Sequence, residues 1–239
     1  MNIAMVLAGG VGSRVGADVP KQFIEVQGKP VLAHTLERFQ DNADTDEILV
    51  VCIESYREEL DELIGRFGLS KVKYVCNGGA TFQDSVINGI RALEGICAPD
   101  DIVSIHFGAS PFVTDAIISD AARTAAMHGN GVSSDPVVLC LAEKDPEDGD
   151  RSSVVGLDRD RVMGLNGPQA FRYGLLRDMY DEGAKRGLLE RIDPHTTSLM
   201  AAMGVRLYFS LGSSLNIKIT TADDIKLFSA YLAAGLDKE

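Results

Sequence analysis

An apolar run of strand length, residues 3–7, stops at Ala8-Gly9-Gly10-Val11-Gly12-Ser13-Arg14. The run carries no helical stripe, so it reads as a strand. Glycines in the loop behind it let the backbone take positive φ and approach a ligand closely. Amide N–H groups of such a loop can converge on an anion. Two cations follow, Arg14 and Lys21, the second within Pro20-Lys21-Gln22-Phe23. Strand, glycine loop and nearby cations together suggest a triphosphate site. The loop is not G-x-G-x-x-G, because Val15 stands where the third glycine belongs. It is not a Walker A loop, because no Gly-Lys-Ser/Thr closes it. On spacing alone, an ordinary βα turn with surface cations also fits.

Downstream, apolar patterns alternate between the two periods. Val31, Leu32, Thr35, Leu36 and Phe39 form a helical stripe, and residues 48–53 are a continuous apolar run that suits a buried strand. Residues 56–67 read as a surface helix, 72–75 as a third strand and 101–105 as a fourth. Such alternation implies a parallel sheet with crossover helices. Further on, 117–127 reads as an alanine-rich helix, 136–141 as an apolar strand and 143–150 as an exposed charged loop. Residues 152–157 and 161–165 look like short strands about a turn at 158–160. Helices are expected over 175–180, from 193–198 through Met203, and from Thr221 onward, with a strand over 205–209. A chain of 239 residues with 45% hydrophobic content suits one α/β domain with a real core. The net charge of −12 argues against a general nucleic-acid surface, but not against a nucleotide in a local cationic pocket. Four widely spaced cysteines, without a Cys-x-x-Cys pair, read as buried free thiols. No secretory leader and no apolar run of about 18 residues is evident, so a cytoplasmic protein with no membrane partner is expected.

Four motifs carry a resemblance. Leu-Ala-Gly-Gly-x-Gly-x-Arg at residues 7–14, then Pro20-Lys21-Gln22-Phe23, resembles the nucleotide-binding signature of sugar-phosphate nucleotidyltransferases. More narrowly, it resembles the cytidylyltransferases that act on ribitol 5-phosphate and methylerythritol 4-phosphate. Gly78-Gly79, followed by Ser85-Val86-x-Asn88-Gly89, is similar to their second motif, which contacts cytosine and ribose. Gly167-Pro168-Gln169-Ala170-Phe171 is similar to their Thr-Pro-Gln-x-Phe. Asn216-Ile217-Lys218-Ile219-Thr220-Thr221-x-x-Asp224 matches their last motif.

The resemblance implies a single-domain α/β, Rossmann-like nucleotidyltransferase fold over 1–239. Its sheet would be mostly parallel, twisted and flanked by helices, with a small β-arm at about 141–165 that mediates a homodimer. The site would lie at the carboxyl ends of the strands. It implies a CTP-dependent cytidylyltransferase, with CTP and a small phosphorylated alcohol as partners and no nucleic acid. Leu7, Ala8, Gly9, Gly10, Gly12, Ser13, Gly79, Thr81 and Ser85 would bind the nucleotide. Arg14 and Lys21 would neutralise charge on the triphosphate. Lys218, with Arg159 from a neighbouring subunit, would hold the acceptor phosphate. The Pro-Lys-Gln-Phe and Asn-Ile-Lys-Ile-Thr-Thr motifs favour the ribitol branch.

The chain departs from the family pattern around metal and acceptor. Phe82 replaces an arginine, and Gly167 a threonine. Phe107 and Ser110 stand where the family carries its magnesium-ligating acid and a supporting arginine, and Leu139 and Cys140 replace an Asp-Thr pair. Phenylalanine offers a hard cation no oxygen. Magnesium is therefore expected to arrive with CTP, held mainly by the triphosphate and by no protein ligand. A catalytically impaired nucleotide-binding homologue is the competing reading.

Overall fold

The computed structural model describes residues 1–10 and 19–238. Gly12, Ser13 and Arg14, named above as site residues, lie outside the described residues. In chain order the elements are β1 (Asn2–Ala8), β2 (Glu25–Val26), β3 (Lys29–Pro30), α1 (Val31–Asp41), β4 (Glu47–Cys52), α2 (Arg57–Arg66), β5 (Val72–Asn77) and α3 (Phe82–Ala92). There follow β6 (Ile102–Phe107), α4 (Asp115–His128), β7 (Asn130–Pro136), β8 (Leu141–Ala142), β9 (Gly156–Leu157) and β10 (Met163–Arg172). The chain then forms α5 (Tyr173–Lys185), α6 (Thr196–Ala202), β11 (Phe209–Leu211) and α7 (Ala222–Ala233).

Seven strands form one sheet in the order β11-β7-β10-β6-β1-β4-β5. β10 alone in it runs antiparallel to its neighbours β6 and β7. β1 is central, parallel to β4 on one side and to β6 on the other. Its side chains alternate between two cores, as a strand buried on both faces requires. Ile3 and Met5 pack with Val86 and Ile90 of α3, Leu176 of α5 and Leu199 of α6. Ala4, Val6 and Ala8 pack with Leu36 and Phe39 of α1, Leu60 of α2 and Ile117 of α4. Each such large side chain contributes about 1.5–3 kcal/mol by leaving water. A third cluster joins Phe228 of α7, and Ile219 ahead of that helix, to Val31 and Phe112. It anchors the C-terminal motif beside the first.

Several expected elements moved. The strand placed at 136–141 is β7, ending at Pro136, and Val138, Leu139 and Cys140 beyond it are exposed. β7 is built from small residues for a steric reason: a Cβ on Gly131 would sit 2.5 Å from the Ala121 carbonyl oxygen of α4. The pair expected at 152–157 and 161–165 does not form. Instead β9 pairs back to β8, Leu141 opposite Leu157, while β10 joins the main sheet. The 205–209 strand is β11, shifted toward the C-terminus. Asn130 holds the approach to it, donating from Nδ2 to the Arg206 carbonyl and accepting from the Tyr208 N–H. The helices at 175–180 and 117–127 extend to 173–185 and 115–128. Cys52 is buried, while Cys76 and Cys97 are half-buried, and burial pushes all three thiols up to about 11. Cys140 is exposed, contrary to the buried reading.

Candidate active site

A cavity of about 570 Å³ opens at the carboxyl ends of β1 and β6. Leu7, Gly9 and Gly10 form its floor, and Lys21 and Gln22 follow in the next turn. Gln22 fixes that floor: it is buried, and its Nε2 donates to the carbonyls of Ala8 at 2.7 Å and Gly10 at 3.0 Å. Ala8 is thus buried support rather than lining. Gly9 and Gly10 keep φ outside the left-handed region, so the positive φ expected of this loop is not what these two glycines supply. A Cβ on Gly9 would meet Ser85 Oγ at 3.3 Å, and one on Gly10 would project into open space.

The opposite wall is the start of α3, where Gly79, Ala80, Thr81, Phe82 and Ser85 face the cavity. Thr81 is the N-cap. Its Oγ1 accepts from the Asp84 N–H, and Asp84 accepts the Thr81 N–H in return, a reciprocal capping box. Ser85 Oγ accepts from the Gly79 N–H at 3.0 Å and donates to the Thr81 carbonyl. Only glycine fits at 79, because a Cβ there would lie 2.1 Å from Asp84 Cβ.

The C-terminal motif completes the enclosure with Lys218 and Thr220. It is docked by backbone bonds: the Ile219 N–H donates to the Ala109 carbonyl, and Asn216 Nδ2 to the Gly167 carbonyl. Gly167 lies where the β10–β7 register shifts, between Leu165 and Gln169, so its carbonyl is available to Asn216. Lys21 Nζ donates to the Ile219 carbonyl at 2.6 Å, across 198 residues of sequence. The Lys218 ammonium lies 3.6 Å from the centre of the Phe107 ring. Asp224 closes the motif, accepting from the Thr220 and Thr221 N–H groups and the Thr220 hydroxyl. Burial opposes its ionisation, yet these bonds hold its carboxyl below the ordinary value.

Behind this wall His106 is fully buried. Its Nε2 lies 2.9 Å from the Ser110 carbonyl, which can only accept, so Nε2 carries the proton. Burial, foremost, and the Lys218 charge push its pKa down to about 4, against that bond. His106 is therefore a neutral structural hydrogen-bonder. A Cβ on Gly167 would press within 2.8 Å of its Nδ1, which explains the glycine there.

Comparison with known proteins fits this arrangement. The family model of IspD, 2-C-methyl-D-erythritol 4-phosphate cytidylyltransferase, matches residues 2–234. The chain belongs to the IspD family. A ribitol-5-phosphate cytidylyltransferase of Lacticaseibacillus paracasei is 38% identical, with 97% of this chain and 98% of that protein covered. A 2-C-methyl-D-erythritol 4-phosphate cytidylyltransferase of Clostridium novyi is 34% identical, covering 97% and 96%. Among solved structures, 4-diphosphocytidyl-2C-methyl-D-erythritol synthase of Anaerococcus prevotii shares the fold with a TM-score of 0.80 at 23% identity, covering 97% and 96%.

Of the residues singled out in this IspD-family chain, Leu7, Gly9, Gly10, Lys21, Gly79, Thr81, Ser85 and Lys218 line one cavity. Arg159 lies apart, exposed near β8 and β9, its Nη1 donating to the Val138 carbonyl at 3.0 Å. Gln22 and Thr220 were given no role from sequence, and Phe107 only as a departure at the family's metal-ligand position; here it faces the Lys218 ammonium. Only its place in Pro20-Lys21-Gln22-Phe23 marked Gln22 in the sequence; its burial and its two carbonyl partners belong to the fold. A smaller hollow of about 290 Å³ adjoins the cavity and shares its Phe107 wall. It is lined also by Gln169, Asp193, His195, Thr197 and Ser198, and Asp193 hydrogen-bonds His195 Nδ1.

Among the described residues, the donor set of the cavity does not suit a protein-held divalent ion. The described lining of the main cavity includes no aspartate or glutamate. Nor does any group of three or more His, Cys, Asp or Glu among the described residues converge as a metal site. Hard cations such as magnesium take oxygen ligands, chiefly carboxylates and phosphates. No helix among the described residues is long and apolar enough to cross a membrane.

Proposed function

We propose that this chain is a CTP-dependent cytidylyltransferase that transfers CMP to a phosphorylated polyol, ribitol 5-phosphate first among the candidates. The observation that carries this is the meeting of Lys21 and Lys218, from opposite ends of the sequence, at one glycine-floored cavity. An oxygen of the acceptor's phosphate attacks the α-phosphorus of CTP. The bond from that phosphorus to the α–β bridging oxygen breaks, and its electron pair leaves with pyrophosphate. The attacking phosphate is already ionised, so no general base is required. The barrier is the approach of two anions, which positioning and fixed positive charge lower.

Lys21, with Arg14, serves the triphosphate, whose base and ribose lie toward Gly79, Thr81 and Ser85. Lys218 stands at Phe107, the wall common to both hollows, and holds the acceptor phosphate. The adjoining hollow offers the polyol hydroxyls Gln169, Asp193 and Ser198. Arg159 reaches the acceptor from a neighbouring copy in a cytoplasmic homodimer built on the β8–β9 arm. Magnesium travels on the nucleotide's own phosphates. The ribitol preference rests on the 38% identity to a protein named for that substrate, against 34% for the methylerythritol one.

Pyrophosphate release tests the reading, with CTP against a panel of polyol phosphates including ribitol 5-phosphate and methylerythritol 4-phosphate. Turnover with one of these supports it. CTP binding without turnover on any acceptor would identify an impaired homologue, and absence of CTP binding would overturn both readings.

A further inference from the structure

On the reading of this chain as a polyol-phosphate cytidylyltransferase, we propose that His195 is a specificity-determining residue, whose Nε2 meets a hydroxyl of the acceptor in the hollow beside the nucleotide cavity. The hollow is polar and partly enclosed by buried groups. Gln169 of β10 lines it and is 5% exposed, and its Oε1 hydrogen-bonds no described residue. A buried carboxamide oxygen without a donor is costly, and a ligand hydroxyl can supply one.

His195 is fixed on two sides. Asp193 Oδ1 accepts from its N–H at 3.2 Å and from its Nδ1, and also from the Ser198 hydroxyl at 3.4 Å. The bond with His195, foremost, holds the Asp193 carboxyl below its ordinary value. An ionised carboxylate only accepts, so Nδ1 carries the proton and Nε2 is the nitrogen left for a ligand. The His195 ring packs on Phe82 at 5.3 Å between centres, and Phe82 on Phe107 at 5.8 Å. Phe82 lines the nucleotide cavity and Phe107 lines both spaces, so the three rings form a partition between them. The Asp193 charge opposes a phosphate in the hollow. The acceptor is thereby oriented, with its phosphate toward the nucleotide and its hydroxyl chain toward His195.

Acceptor kinetics in the pyrophosphate assay test this, with whichever polyol phosphate of the panel the parent turns over best. His195→Phe keeps a ring against Phe82 and removes both nitrogens, whereas His195→Gln restores a polar atom near Nε2. His195→Phe should raise the acceptor KM about tenfold, the effect of one hydrogen bond, with kcat within about threefold and the KM for CTP within about twofold of the parent. His195→Gln should recover most of that loss. Glycerol 3-phosphate, which lacks the far end of the longer chains, serves as a competing ligand. Its inhibition constant should be the same for the parent and His195→Phe, since a double-mutant cycle isolates the pairwise effect. An unchanged acceptor KM, or an equal loss for glycerol 3-phosphate, would overturn the role of His195 and leave the enzyme reading intact. So would a matching rise in the KM for CTP, which marks a disturbed partition instead. If His195→Phe does not fold, His195→Asn, which keeps a donor for Asp193 and lacks Nε2, takes its place. A parent without turnover on any polyol phosphate would overturn the enzyme reading, and the role of His195 with it.

Discussion

Acidification should expose the buried His106 as a stability switch. In the fold its ring is neutral, with a pKa pushed from the usual 6.5 down to about 4. An unfolded chain takes up a proton near 6.5, whereas the folded one resists until about 4. Between those values the unfolded state binds more protons, so stability falls as the pH falls. At about 1.4 kcal/mol per pH unit, the loss by pH 4 is about 3 kcal/mol. His34, whose pKa burial also lowers, adds to the decline in the same direction. Asp101, Asp193 and Asp224 belong to a lower window, because their carboxyls are held below the ordinary value in the fold. Their contribution is complete above the unfolded carboxylate pKa of about 4 and is lost only below it. His106→Gln isolates the histidine while keeping an amide donor for the Ser110 carbonyl. Urea unfolding at several pH values between about 7 and 4 should show the parent losing about 3 kcal/mol more than the variant. Parallel curves, or a His106 ring that titrates near its usual value by NMR, would refute the reasoning.

Other perturbations probe the cavity itself. Lys21→Met and Lys218→Met should each lower kcat/KM by about two to three orders of magnitude in the pyrophosphate assay, the usual cost of removing one charge-stabilising donor. Gly79→Ala forces a Cβ into Asp84. It should cost about 1–3 kcal/mol by thermal unfolding and weaken CTP binding in parallel, because the start of α3 must shift. Asp224→Asn removes the charged acceptor of the Thr220 and Thr221 bonds, and should destabilise by about 1–2 kcal/mol in denaturant titrations.

The parts of the fold legible in the sequence were those with strong periodicity. The residues 3–7 run, the α1 stripe and the residues 48–53 run each bury apolar side chains on known faces, so pattern and position coincide. β7 was not legible because it is buried with few large apolar side chains, and at Gly131 a Cβ would press into α4. Its exposed apolar neighbours, Val138 and Leu139, imitated a core strand instead. In the site, cations and glycines stood out as residue types. Gln22 did not, because what it does depends on how its amide meets the Ala8 and Gly10 carbonyls, and Phe107 was read only as a lost metal ligand because its partner Lys218 lies far along the chain.

The bond from Lys21 to the Ile219 carbonyl has a consequence for biosynthesis. A polypeptide emerging from the ribosome can lay down β1, β4 and β6 early, since these strands pair within the first half of the chain. Residue 219 must also leave the exit tunnel before the last wall of the cavity can be fitted. Premature termination anywhere ahead of it would yield a species with most of its sheet and a cavity open on the side that Lys218 and Thr220 close.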